Sequence, residues 1–206
     1  MKIITRAKAI ENLRKYIDQD LSVLAKQFGI TTYKKGKQNK GWKGLVLERL
    51  AGLKNNVSRA PNGLSYELKS VSFIKKNGKL TPKETMAIAM INSEELKSQR
   101  FFESHVWNKL KSLVFCAVMW HGPHSKKSEL LGVTSLDFAE DDQIIREVKQ
   151  DYEFIGQKLI NQGFDKLTGK DGKWIQARTK GAGHGSKTRA FYARKNLVSK
   201  IFEISS

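Results

Sequence analysis

The run from Leu64 to Phe73 alternates in the two-residue rhythm of an extended strand. Leu64, Tyr66 and Leu68 fall on one face, and Ser65, Glu67, Lys69 and Val71 on the other. A carboxylate and an ammonium therefore project together, about 7 Å apart along the strand, away from the apolar row. Upstream, from Trp42 to Ala51, the apolar residues Leu45, Val46, Leu47, Leu50 and Ala51 cluster as on a helix. Glu48 lies in that helix, and Gly41, Gly44 and Gly52 fall on its side. Glycine weakens a helix relative to alanine, so three on one side predict close approach of another backbone, from the strand or a ligand. Pro61-Asn-Gly supplies a turn before the strand.

Charge narrows the class of partner. The chain carries 38 Lys and Arg against 20 Asp and Glu, a formal +18, with a pI near 10.0. That excess points to a polyanion. A membrane-surface protein would gather its lysines on one long amphipathic helix, and here they are spread along the sequence. No apolar run of about 18 residues occurs, and Met1-Lys-Ile-Ile-Thr-Arg6 lacks the apolar centre of a signal peptide. Double-stranded DNA in the cytoplasm, with no membrane, is the expected setting. The single Cys116 excludes an internal disulfide and a thiolate zinc cluster, and its apolar run, Leu113 to Trp120, reads as a buried strand. The 206 residues suffice for one core, or one core in two lobes.

Along the chain, residues 6–28 read as two helices broken near Asp18-Gln-Asp20. Leu21 to Ile30 has the look of a first helix of a helix-turn-helix, but a polar, basic loop, Thr31 to Lys40, stands where the second helix should follow. Lys75-Lys-Asn-Gly-Lys79 predicts a turn. Glu84 to Ile91 is nearly all apolar, so a central strand is expected there. Ser93 should cap a short helix, and residues 112–120 form a third strand. His121-Gly-Pro-His124 reads as a loop. Residues 140–162 carry a helical stripe of Ile144, Ile145, Val148, Tyr152, Ile155 and Leu159, ended by Gly163. A strand at 173–178 then enters a basic loop, Thr179 to Arg189, followed by Ala190 to Lys195 and a terminal helix over 196–204. Reading groups Arg178, Tyr192 and Lys195 flank the loop, so it is expected to touch nucleic acid. A phosphate-binding P-loop is excluded by spacing.

A turn acid, a strand acid and a strand lysine make the layout of PD-(D/E)xK nucleases. More specifically, Lys40-Gly-Trp-Lys-Gly-Leu-Val-Leu-Glu48, Tyr66-Glu67-Leu-Lys69, Trp174-Ile-Gln-Ala-Arg178-Thr-Lys180-Gly-Ala182 and Phe191-Tyr192-Ala-Arg-Lys195-Asn196 resemble, in order, the successive motifs of the MutH family. That family contains a mismatch-repair strand-nicking endonuclease and type II restriction enzymes cutting at GATC. The resemblance implies an α/β restriction-endonuclease-like core, its mixed central sheet flanked by helices, with two arms around a DNA cleft. Residues up to about 120 would form the catalytic arm and about 121–206 the DNA-reading arm of one domain.

Carried over by position, the resemblance makes Glu48, Asn62 and Glu67 ligands for Mg²⁺, for which Mn²⁺ would substitute. Lys69 becomes the catalytic lysine, and Lys40 and Lys109 lie near the scissile phosphate. Arg178, Lys180, His184, Lys187, Arg189, Tyr192 and Lys195 would contact DNA. The family has aspartate where this chain has Asn62. Asn-Gly and Asp-Gly are nearly equivalent in a turn, but an amide offers one neutral oxygen to a metal that favours anionic ones. An impaired type II restriction endonuclease is the leading reading. The alternatives are a mismatch-repair nickase and a non-catalytic DNA-binding relative. A homodimer, or sequential nicking by a monomer, fits either enzyme.

Overall fold

The computed structural model describes residues 4–34, 37–39, 41–53, 65–180 and 188–205. Thr5 caps helix α1, Arg6–Arg14, by accepting from the Lys8 backbone N–H. Helix α2, Leu21–Gln27, is capped by Asp20, whose Oδ1 accepts from Ser22 N at 2.9 Å and from Ser128 N at 2.9 Å. One carboxylate thus starts a helix and pins it to a distant strand. Where a helix-turn-helix would continue, β1, Tyr33–Lys34, pairs with β2, Lys37–Gln38, as a small hairpin. Helix α3, Trp42–Ala51, stops at Gly52, whose φ of 85° is one that other residues rarely adopt.

Strand β3, Glu67–Lys76, turns through Asn77 and Gly78, both at positive φ, into β4, Lys79–Pro82. That is the two-residue hairpin expected from Asn-Gly. Next come β5, Met86–Met90, α4, Ser93–Ser98, and α5, His105–Leu110. The cap of α4 is Asn92, accepting from Glu94 N and Glu95 N, and not Ser93. Strand β6, Ser112–Trp120, β7, Ser128–Asp137, and the long α6, Gln143–Gln162, follow. The chain closes with β8, Ile175–Thr179, β9, Arg189–Ala193, and α7, Lys195–Ser205.

The larger sheet is mixed, in the order β4-β3-β6-β7, with β3 and β6 parallel. On one face Tyr66, Leu68, Val114, Cys116 and Val118 pack under α1, α2 and α3. On the other, Val71, Phe73, Phe115 and Ala117 join a second core with α5, α6 and α7. Burial on both faces is why β6 is apolar throughout. Cys116 sits in that interior, which pushes its thiol up to about 12 and leaves it a packing group. No helix among the described residues is long and apolar enough to cross a membrane.

A second, antiparallel sheet runs β5-β9-β8. The Glu84–Ile91 segment is therefore not a central strand. Among the described residues its strand, β5, is an edge paired with β9 alone, and its apolar run is explained by burial of Met86, Ile88 and Ala89 in the core shared with α5. The two sheets interleave in sequence: β7 completes the larger one, and β5 the smaller.

A buried acid anchors the smaller sheet to α6. Asp151, buried, accepts from the backbone N–H of Lys173, Trp174 and Ile175 at 2.8, 2.5 and 2.9 Å. Asp151→Ala would strand three donors at the root of β8. A loss of about 1–3 kcal/mol or more is expected in urea denaturation, and an unchanged midpoint would show the clamp to be idle.

Candidate active site

Strand register sets the geometry of this site. Glu67 is the first residue of β3 and lies opposite Leu113, near the start of the parallel β6. The residue is only 3% exposed. One pleat further on the same face, the Lys69 ammonium donates to Glu67 Oε1 at 2.8 Å. Helix α5 ends just before β6 begins, so its last turn lies beside the same strand ends. Ser104 caps it by accepting from Trp107 N, and Val106, Trp107 and Leu110 bury its inner side. From that last turn Lys109 reaches the same Glu67 Oε1 at 3.4 Å. Three residues named from sequence thus meet around one oxygen.

Burial holds the Lys69 ammonium below the ordinary lysine value. Glu67 opposes that shift, while the positive charges of Lys109 and Lys180 add to it. Lys180, just beyond β8, therefore lies within electrostatic reach of the strand lysine. The cluster of Glu67 with Lys69, Lys109 and Lys180 carries more positive than negative charge, which suits an incoming phosphodiester. Lys69 also donates to the carbonyl of Ile88 at 3.5 Å. Ile88 lies at the irregularity between Ala87 and Ala89 where β5 slips against β9. Such bulges re-aim backbone groups beside functional sites.

Glu48 is half-buried on α3, off the inward arc of Trp42, Val46, Leu47, Leu50 and Ala51. Helix α3 packs on β3, and its Lys43 donates to Ser72 Oγ at 2.8 Å. Burial lowers the Lys43 pKa, against the pull of Glu84. No protein backbone among the described residues closes on the glycines of this helix. Among the described residues nothing lies within 4 Å of a side chain added at Gly44, Gly41 flanks the N-terminus, and Gly52 serves the left-handed stop. Lys40, Asn62, His184 and Lys187 lie outside the described residues. Among the described residues no three His, Cys, Asp or Glu gather closely enough to hold a metal ion.

The C-terminal residues form a separate constellation on the smaller sheet. Arg178, exposed on β8, stacks over the Tyr192 ring of β9 with 5.7 Å between guanidinium carbon and ring centroid. Its Nη1 donates to Thr85 Oγ1 at 3.0 Å. Burial raises the Tyr192 pKa, and Arg178 offsets part of that. Lys180 N donates to Thr188 O at 3.1 Å, closing the base of the basic loop next to Arg189. Lys195 is exposed at the start of α7. Sequence reasoning missed Thr85 and Ile88. Neither belongs to a motif, and only the pairing of β5 with β9 brings them in.

The family model described as DNA mismatch repair enzyme MutH matches residues 54–147, the stretch holding Glu67, Lys69 and Lys109. The DNA mismatch repair protein MutH of Vibrio campbellii is 26% identical over 201 residues, 96% of this chain and 86% of that protein. Over most of its length the chain is similar to MutH. MutH of Escherichia coli O17:K52:H18 is 26% identical over 199 residues, covering 88% of this chain and 84% of its own. MutH of Haemophilus influenzae strain PittGG is 25% identical over 182 residues, covering 80% and 79%. The similarity to MutH thus extends well beyond the residues of the family model. The mixed α/β architecture with helices on both faces of the larger sheet agrees with the restriction-endonuclease-like core expected of this family.

The ion pair makes its own prediction. Glu67→Gln removes the negative charge that favours the Lys69 ammonium, so the Lys69 pKa should fall further. NMR titration of the lysine Nζ signals measures this directly, and a Lys69 pKa that stays put or rises would contradict the assigned pairing.

Proposed function

We propose that this protein is a metal-dependent DNA endonuclease that hydrolyses phosphodiester bonds at a short specific site, GATC by family resemblance. The observation that carries the reading is the buried Glu67 carboxylate bracketed by the Lys69 and Lys109 ammoniums. Lys109 neutralises the phosphate as it enters. Lys69, fixed by Glu67, orients the attacking water, and its depressed pKa brings it nearer to accepting a proton than a surface lysine. Glu48, Glu67 and the residue at position 62 would hold the metal, and carboxylate oxygens suit Mg²⁺, with Mn²⁺ as substitute. When bound, that ion polarises a phosphoryl oxygen and acidifies water.

DNA is gripped chiefly through lysine and arginine contacts to phosphates, with affinity falling steeply in salt. Arg178, held by Thr85 and the Tyr192 ring, has the two-pronged donor group that reads a guanine edge. His184, Lys187, Arg189 and Lys195 supplement it. The larger sheet with Glu67 and the smaller sheet with Arg178 embrace the duplex, as a homodimer or as a monomer nicking twice.

Two biological versions share this chemistry. A type II restriction enzyme cuts both strands, whereas a repair enzyme nicks one strand. The names of the relatives favour the second. In either version Asn62 weakens metal binding, because an amide replaces an anionic oxygen donor. Incubating Asn62→Asp with plasmid DNA and Mg²⁺ tests the whole reading. Cleavage should rise by at least about 10–100-fold over the parent chain. Linear product identifies the restriction version and open circles the nicking one. No cleavage by either chain would leave a non-catalytic DNA-binding relative.

A further inference from the structure

Three segments that carry none of Glu67, Lys69 and Lys109 come together: α2, the basic hairpin after it, and the His121–Lys127 loop. Their side chains enclose a groove of about 820 Å³. Lys26 and Lys126 stand exposed on its walls, and Lys83 lies over the Trp120 ring at 4.6 Å. Tyr33, 43% exposed, offers a second ring, and hydroxyls such as that of Ser125 complete the lining. No carboxylate occurs among the described lining residues.

The Trp120 end of the groove lies far from Glu67. Trp120 ends β6, seven strand steps beyond Leu113, the residue opposite Glu67. That is about 23 Å, or about seven base pairs of duplex at 3.4 Å each. Ammoniums, hydroxyls and ring edges without acids match a phosphate-sugar backbone. An acidic protein segment would share the charge, and the test below separates the two.

We propose that this groove is a second DNA-backbone site, taking phosphates outside the segment that is cut. The inference rests on DNA as the partner and needs nothing of the cleavage chemistry. It assigns Lys26 and Lys126 to two phosphate contacts.

The test uses the full chain and a duplex of about 30 base pairs, several helical turns, with affinity followed by fluorescence anisotropy across salt. Lys26→Gln/Lys126→Gln takes away two phosphate-binding charges and should lower the slope of log K against log salt by about 2. Lys26→Arg/Lys126→Arg should keep the parent slope. Lys8→Gln/Lys15→Gln, which removes charges facing Glu11 on α1, should also leave it unchanged. An unchanged slope in the groove variant overturns the proposal, as does an equal fall in the α1 variant, which would signify diffuse charge alone. A groove variant that loses an acidic protein partner while keeping its DNA slope overturns it too. A parent chain that binds no duplex defeats the proposed function itself, whereas a parent that binds with an unaltered groove variant defeats only this inference.

Discussion

A carboxylate almost wholly out of water must be matched by positive charge, and Glu67 fixes much of what surrounds it. Removing such an ion from solvent costs on the order of several kcal/mol unless partners compensate. Lys69 and Lys109 do so, each only about a sixth exposed. One comes from the same strand and one from the helix that feeds the neighbouring strand. The parallel pairing of β3 with β6 is therefore more than architecture. It brings the end of α5 to the start of β3, and without it Lys109 would have no route to Glu67 Oε1.

The smaller sheet ties the rest of the molecule to that point. Its edge strand β5 passes beside Lys69, presenting the Ile88 carbonyl, and Thr85 just before it holds Arg178. Strand β9 contributes Tyr192 beneath the same guanidinium. Asp151 on α6 pins the start of β8, and the end of β8 leads to Lys180 near Lys69. Groups suited to reading bases and groups suited to attacking phosphate are thus mounted on adjoining strands. A displacement of the smaller sheet would be felt by Lys69 through a backbone contact.

How much of this was legible beforehand follows from the range of each signal. Alternation from Leu64 to Phe73 exposed the Glu67–Lys69 pair because strand periodicity is local. The stripe from Ile144 to Leu159 gave α6 for the same reason, and Asn77-Gly78 gave its hairpin. Strand β5 was misplaced because an apolar run reports burial, which α5 and the core supply, and not how many neighbours a strand has. Strand β7, with polar residues such as Ser128, Thr134 and Ser135 among its apolar ones, gave no clear rhythm. Of the α3 glycines, Gly52 serves a left-handed stop, and no described protein atom closes on Gly44. Thr85 was invisible, since a lone hydroxyl acquires its role only from a guanidinium 93 positions away.

The central claim is that Glu67, Lys69 and Lys109 receive the phosphate that is cut. A crystal structure of the chain with duplex DNA and Ca²⁺, which supports binding without turnover, addresses it most directly. The account predicts a cation within about 2.3–2.6 Å of a Glu67 oxygen, and the Lys69 and Lys109 ammoniums at about 3 Å from phosphate or its attacking water. A duplex seated with its nearest phosphate more than about 8 Å from Lys69, beyond the reach of screened charge, would contradict it.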